Sequence, residues 1–533
     1  MKNRIYIFIF SLLLLAGCKG GVTDTSGEAR KKATEIPELP YILEGDYTPD
    51  TGVMYKVIIG GDTCFVMVDS LNDDQMYGHY YLLVEGSDCV ERQNFTQDIH
   101  WKKRRKEALV YLYQEPTFHF VNDSLLRHPC YRTSDTLDIE YGQAQGFWCS
   151  MPGTEDMNYL EIISNGIIKS LSVKTQSLRM DIYQPVNEDN DIEDERRPLI
   201  MLIHGGGFYV GDKRDNLMIT LCRHFASLGY TAVSINYRLG FLFSKSDISR
   251  TGYMALQDAH AALRYLVDNA KQYGIDTSNI FVGGASAGAI TALNLAFMRD
   301  GDRPSSVTNR HKHNLGTIAS SGNSSHATFH IKAISNMWGA VTNLNMLKNS
   351  KTDIISFHGD NDLVVPYDIG YPFNDMSIKL GKRMFDQMYG SKQIDKRARE
   401  LGLLSELHTF PGEGHSLQRY PDGTWNPQNV AFIRDKMTEF FYKEIYGEPP
   451  VIENDRYNPR LFYIDKEGVS EVEWRVEGGF ITHYDPLSMK IWVVWDSKAP
   501  RHRIYASGLD ASPEGNDLQG PGFNIYKDIE VSD

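Results

Sequence analysis

The spacing of apolar residues divides this chain into three stretches. From about Tyr41 to Asp135, short apolar runs alternate with turns. Met54–Ile59, Cys64–Val68 and Ala108–Tyr113 are rich in β-branched and aromatic residues, and Gly60-Gly61 and Asn72-Asp73 interrupt the pattern. Such runs suit a pleated surface, so an N-terminal antiparallel β domain is expected over 41–135. From about Leu160 to Gly447 fully apolar runs alternate with runs that are apolar on one face. Leu199–Ile203 is apolar throughout, as a strand buried on both faces must be. Leu217–Leu228 predicts a helix and Thr231–Tyr237 the next strand. Met254–Tyr273 carries Leu256, Ala259, Leu263 and Leu266 at helical spacing, and Ile280–Gly283 is a further buried strand. This alternation predicts an α/β fold over 160–447, a mostly parallel sheet with helices on both faces. From Pro449 to Asp533 strand patterns return at Val472–Val476, Ile491–Trp495 and Arg503–Tyr505. They predict a C-terminal β-sandwich-like domain over 449–533.

The first residues follow a different pattern. Lys2 and Arg4 precede an apolar run from Ile5 to Ala16, followed by Gly17-Cys18. The run is too short to span a bilayer as a helix of the mature protein, and its flanks are those of an export signal. The polar stretch 18–38 is expected to be a tether. No later segment has enough unbroken apolar residues to cross a membrane as a helix.

A length of 533 residues leads to an expectation of two to four domains. Hydrophobic residues at 41% and charged residues at 23% are ordinary for folded material. The net charge of −14 argues against nucleic acid as a main partner, because phosphate binding needs a basic face. After Cys18 come Cys64, Cys89, Cys130, Cys149 and Cys222. In an exported chain Cys64–Cys89 and Cys130–Cys149 are candidate disulfides, with the connectivity left open. Cys222 lies in an apolar helical stretch and is expected to be a buried packing residue. No Cys-x-x-Cys or His/Cys cluster points to a metal, and no metal or organic cofactor is implied.

The candidate chemistry lies in the middle stretch. Gly284-Ala285-Ser286-Ala287-Gly288 follows the Ile280–Gly283 strand and precedes the helical run Ala289–Phe297. A serine on a strand-to-helix elbow occupies a strained turn that only small neighbours allow, and the helix N-terminus favours developing negative charge. His204-Gly205-Gly206-Gly207-Phe208 follows the Leu199–Ile203 strand. Its glycines let backbone N–H groups approach a substrate oxygen unobstructed. Downstream, Asp353–Phe357 leads into His358-Gly359-Asp360-Asn361-Asp362-Leu363-Val364-Val365-Pro366, and Leu403–Phe410 leads into Pro411-Gly412-Glu413-Gly414-His415. Both loops follow strand C-terminal ends, where open α/β sheets build their sites. A serine hydroxyl needs a base, an imidazole serves near neutral pH, and a carboxylate orients and stabilises the imidazolium. The Tyr367, Tyr371, Phe373, Phe385 and Tyr389 rings between Asp362 and His415 either wall a substrate pocket or pack a small core of their own.

In these motifs residues 160–447 resemble the α/β-hydrolase superfamily, near the carboxylesterases and hormone-sensitive-lipase-like esterases. The resemblance implies Ser286 as nucleophile, His415 as base and Asp362 as acid, with Asp360 the alternative in the same loop. It also implies backbone N–H groups of Gly206, Gly207 and Ala287 as an oxyanion hole. These esterases often carry an acidic residue before the nucleophile, where Ala285 stands here. The end of the leader, Leu15-Ala16-Gly17-Cys18, resembles the lipobox of bacterial lipoproteins. That implies a signal peptide over 1–17, lipid on the Cys18 thiol, and an exported protein anchored to a bacterial membrane, expected to be the outer one. The C-terminal strands with Trp474, Gly478, Gly479 and Trp495 resemble an immunoglobulin-like (PKD-like) module.

The expected function is that of a serine carboxylic ester hydrolase working through an acyl-enzyme on a small-molecule or polysaccharide ester. Two alternatives remain at this level. One is a serine peptidase of the prolyl-oligopeptidase type, although the N-terminal segment is short for the β-propeller such enzymes carry. The other is a non-catalytic binding protein on the same scaffold.

Overall fold

The computed structural model describes residues 5–9, 41–43, 51–52, 54–59, 62–71, 75–83, 89–98, 107–112, 118–151, 172–186, 196–242, 244–308, 313–373, 381–511 and 520–530. Cys18 and the 18–38 stretch lie outside the described residues. The chain forms two compact units. One is chiefly Asp123–Glu448; the other joins the residues up to Asn122 with Pro449–Ala511 and Gly520–Asp533.

The larger unit is built on an eight-stranded sheet. Its strands are β1 (Arg132–Gly146), β2 (Lys174–Val186), β3 (Arg197–Ile203), β4 (Thr231–Ile235), β5 (Ile275–Ala285), β6 (Ala333–Met337), β7 (Asp353–Gly359) and β8 (Ser405–Phe410). The spatial order is β1-β2-β4-β3-β5-β6-β7-β8. β2 runs antiparallel to both its neighbours, and β4 to β8 and β3 are mutually parallel. The order turns back on itself around β3, so the C-terminal ends of β3 and β5 border a crevice, the usual place for a site in such a sheet.

The helices are α1 (Asn216–Leu228), α2 (Lys245–Asp268), α3 (Ala287–Phe297), α4 (Ser391–Glu400) and α5 (Pro427–Tyr446). The pleat explains why β3 is apolar throughout. Leu199, Met201 and Ile203 enter the core shared with α2 and α3, while Ile200 and Leu202 enter the core shared with α1 and α5. All five are fully buried, and each such side chain contributes roughly 1.5–3 kcal/mol. α1 ends where Gly229 takes the left-handed conformation, φ 115°, and its N–H caps the Ala226 carbonyl.

Three elements differ from the sequence expectation. The sheet begins at β1, well before residue 160, because the alternating and partly exposed residues of Arg132–Gly146 lack the apolar run of a central strand. α2 starts at Lys245 rather than Met254, with Ser244 accepting a hydrogen bond from the Asp247 N–H as its cap. β5 extends back to Ile275, since Asp276, although polar, is buried by bonds from Ser278 and Asn279.

In the other unit the two flanking β segments, separate in the sequence reading, contribute to one sheet. Lys490–Asp496 pairs with Cys89–Asp98 through Trp495 and Cys89. A second, three-stranded sheet consists of Ser470–Glu477, Arg503–Leu509 and Gly522–Asp528. Trp474, Ile504 and Phe523 from it share a core with Ile491, Val493 and Trp495.

Candidate active site

Ser286 sits between β5 and α3 with φ 56° and ψ −118°. This is a strained conformation for a side-chain-bearing residue, costing of order 1–3 kcal/mol. The elbow tolerates it because its flanks are small. A Cβ at Gly284 would lie 2.3 Å from the Gly288 carbonyl group, and one at Gly288 would lie 2.0 Å from the Ile203 oxygen. The Ser286 N–H donates to the Met337 carbonyl at the end of β6, at 2.9 Å. The serine therefore stands at the N-terminus of α3, raised above the sheet.

The three side chains named from sequence converge, although Ser286 and His415 are 129 positions apart. His415 Nε2 lies 2.8 Å from Ser286 Oγ, and His415 Nδ1 lies 2.6 Å from Asp362 Oδ2. The other carboxylate oxygen, Oδ1, accepts the N–H groups of Val364 at 2.7 Å and Val365 at 3.0 Å. Asp362 is buried, which by itself raises a carboxyl pKa, but its bonds to His358 and His415 outweigh burial and hold it well below the usual range. Asp360 is excluded from this role by position: its Oδ1 accepts the Gly412 N–H at 2.6 Å and braces the loop that carries His415. The Trp338 ring, centroid 6.4 Å from that of His415 and edge-on to it, flanks the imidazole.

The glycine loop lies against the elbow. A Cβ on Gly205 would stand 2.9 Å from the Ala285 oxygen and 3.4 Å from the Ser286 Cβ. Gly206 adopts φ 100°, and its carbonyl accepts the N–H groups of Tyr209 and Val210 in a tight turn. Among the described residues, no acceptor receives the N–H groups of Gly206, Gly207 or Ala287. His204 is fully buried and stacked on Tyr237, whose hydroxyl donates to the His204 carbonyl at 2.8 Å. Burial pushes its pKa down to about 4, so the ring is neutral and serves as packing beneath the loop.

Sequence reasoning missed how this loop is held. Lys213 Nζ and Arg214 Nε reach the fully buried Asp181 of β2 at 2.9 and 2.7 Å. Asp212 accepts from Ser150 and Asn236, and Asn236 also accepts the Lys213 N–H. A lone Asp at the centre of an otherwise half-apolar β2 was the available signal. His358 was also missed as a contributor; it is fully buried, with Nε2 3.2 Å from Asp362 Oδ2.

Four of the aromatic residues between Asp362 and His415 have partners within the larger unit. Phe373 and Phe385 lie 5.4 Å apart, Tyr389 and Phe385 pack on the main core, and the Tyr367 hydroxyl bonds Thr409. A groove of about 620 Å³ beside β8, lined by His408, Phe410, Gln428 and Phe432 among others, contains none of Ser286, Asp362 or His415. Cys130 and Cys149 are both free thiols, which corrects the candidate pairing between them; Cys149 is buried and Cys130 exposed. Cys222 is fully buried on α1, as expected of a packing residue. The side chains of Cys64 and Cys89 lie outside the described residues. Among the described residues no His/Cys/Asp/Glu cluster could hold a metal ion, and no helix is long and apolar enough to cross a membrane.

The sheet order, the single antiparallel β2 and the serine elbow after β5 define an α/β-hydrolase fold. Comparison with known proteins finds similarity over part of the chain. The BD-FAE family model matches residues 180–356, from β2 to β7. Gut esterase 1 of Caenorhabditis elegans is 33% identical over 103 residues, 19% of this chain and 18% of that protein. Carboxylesterase 1C of Rattus norvegicus is 30% identical over 146 residues, 27% of this chain and 26% of that protein. The chain therefore matches about a quarter or less of the length of these curated relatives. Among solved structures it is similar to Thermogutta terrifontis esterase 2 phosphoramylated by tabun, at 19% identity and a TM-score of 0.35, over 50% of this chain and 89% of that one.

Proposed function

We propose that this protein is a serine carboxylic ester hydrolase that works through an acyl-enzyme on Ser286. The observation that carries the reading is the hydrogen-bonded line from Ser286 Oγ through both nitrogens of His415 to Asp362. In acylation the Ser286 oxygen attacks the ester carbonyl carbon while its proton passes to His415 Nε2. The carbonyl oxygen becomes an oxyanion that accepts the N–H groups of Gly206, Gly207 and Ala287, each such donor being worth about 3–4 kcal/mol. Asp362 stabilises the imidazolium. His415 then gives its proton to the departing alcohol oxygen as the C–O bond breaks. In deacylation water repeats the sequence: its proton goes to His415, its oxygen to the acyl carbon, and the proton returns to Ser286. The esterase names of the relatives support a carboxylic ester as the bond cleaved.

The test is hydrolysis of p-nitrophenyl esters of graded acyl length by the purified protein and by Ser286→Ala. Turnover by wild type, with loss of about 10³-fold or more in the variant, supports the assignment. Equal rates sink it. A fluorophosphonate probe should label Ser286 alone.

The substrate proposed is an acyl ester borne by a polysaccharide or a small molecule. The leader sequence supports export and lipid attachment at Cys18, with 18–38 as tether. Metabolic labelling with a radiolabelled fatty acid, lost in Cys18→Ser, tests the anchor.

A further inference from the structure

We infer that His358, backed by Ser391 and Asn336, is a positioning residue that fixes the Asp362 carboxylate toward His415. The inference rests on the triad assigned above and extends it to groups that never touch substrate. The argument starts from a backbone amide. The Gly339 N–H donates to Asn336 Oδ1 at 2.9 Å, which fixes the orientation of the Asn336 amide. Its Nδ2 then donates to Ser391 Oγ at 2.9 Å and to Ser356 Oγ at 3.0 Å. Ser391 Oγ lies 2.7 Å from His358 Nδ1. While accepting from Asn336, the Ser391 hydroxyl still has its own proton to offer Nδ1. His358 Nε2 faces two acceptors, Asp362 Oδ2 and the Val365 carbonyl oxygen, each at 3.2 Å, so this nitrogen carries a proton and donates toward Asp362.

The route to Asp362 runs from Asn336 through Ser391 and His358, and Ser356 is a side branch on Asn336. Asn336, Ser356, His358 and Ser391 are all fully buried. A buried polar group left unpaired costs about 1–3 kcal/mol, so a buried cluster of four is tolerable only when each member has a partner. The four come from three elements: β6 supplies Asn336, β7 supplies Ser356 and His358, and α4 begins with Ser391. At the carboxylate, Val364 and Val365 hold Oδ1, leaving Oδ2 to His415 and His358. Four donors use the acceptor capacity of an ionised carboxylate. His415 moves through protonation during turnover; His358 is locked and keeps Oδ2 in place while it does so. The lowered Asp362 pKa, to which His358 contributes, agrees with this arrangement.

The experiment compares His358→Gln, His358→Leu and Ser391→Ala in p-nitrophenyl ester hydrolysis, reading kcat, KM and thermal midpoint, with Ser286→Ala and Asp362→Ala alongside. Leucine fills the space without a donor, whereas glutamine can present an N–H where Nε2 stood. A carboxylate no longer fixed lets the base stray, so His358→Leu is expected to lower kcat by about 10–100-fold with KM within about twofold. His358→Gln is expected to recover most of that loss, and Ser391→Ala to fall between them. In the Asp362→Ala background His358→Leu should add less than about twofold, because the group it positions is gone. Equal kcat for Leu and Gln, or a full additional loss in that background, would assign His358 to packing and overturn the inference. If His358→Leu does not fold, Ser391→Ala decides: unchanged kcat overturns, reduced kcat at unchanged KM supports. Wild-type rates in Ser286→Ala would instead mark failure of the triad reading.

Discussion

Gly288 of α3 packs so tightly on β3 that a Cβ at 288 would stand 2.0 Å from the carbonyl oxygen of Ile203. β3 delivers the glycine loop at His204, and α3 carries the Ala287 N–H one residue from the contact. The distance between the two sets of proposed oxyanion donors is thus set by a position with no side chain.

Gly288→Ala should separate them. Overpacking of this kind costs about 1–3 kcal/mol and is relieved by moving α3 away from β3. Displacing donors from the developing oxyanion should lower kcat by about tenfold or more. Activity should therefore fall further than the thermal midpoint alone would suggest. A variant with wild-type kcat would show that α3 does not set the donor spacing.

The two aspartates of the 360–362 loop should separate cleanly. Asp362→Asn puts the wrong partner on His415 Nδ1 and should lower kcat by about 10⁴-fold. Asp360 only accepts the Gly412 N–H, which an asparagine oxygen can also do, so Asp360→Asn should stay within about threefold of wild type. Parallel kcat measurements on the two variants check this.

Asp181 should prove costly to remove. It is fully buried and neutralises Lys213, whose side chain is itself only 3% exposed. Asp181→Ala leaves that buried ammonium with only the half-exposed Asp138, at up to about 3–5 kcal/mol. The thermal midpoint should drop by several degrees, and kcat with it, because Lys213 and Arg214 end the loop that begins at Gly205. A variant as stable as wild type would mean that Asp138, the other partner of both cations, suffices.

His224 predicts a pH dependence of definite sign. It links α1 to α5 through Thr438, 3.0 Å away, and burial, aided by Arg434, pushes its pKa down to about 4. The unfolded chain binds this proton near the ordinary value of about 6.5, more tightly than the folded one. Stability is therefore intact above that pH and falls as pH drops toward 4. His224→Gln removes this contribution, so its thermal midpoint should gain on wild type between pH 6.5 and 4.5. A constant difference across that range would contradict the assignment.

Much of the site was legible because its motifs answer local constraints. Gly284 is required by the elbow's own backbone contacts and Gly206 by a tight turn at φ 100°, whereas the need for glycine at 288 comes from β3 lying against it. Strands β3, β4 and β5 announced themselves by apolar runs, since both faces of a central strand are covered. β1 did not, because an edge strand has an exposed side and an alternating pattern. Asn336, Ser391 and His358 left no local trace. A buried polar residue has the same letter as an exposed one, and only its partners reveal it.

What the sequence by itself determined is the set of short-range features: which segments are extended or helical, where the serine turn falls, and which glycines must be bare. Only the tertiary structure decided which of two neighbouring aspartates faces His415, that Cys130 and Cys149 stay unpaired, and that flanking segments far apart in the chain share a sheet. The physical reason is range. Backbone strain and side-chain periodicity act over a few residues and are written in order along the chain, whereas hydrogen bonds and ion pairs in the core depend on which strands become neighbours.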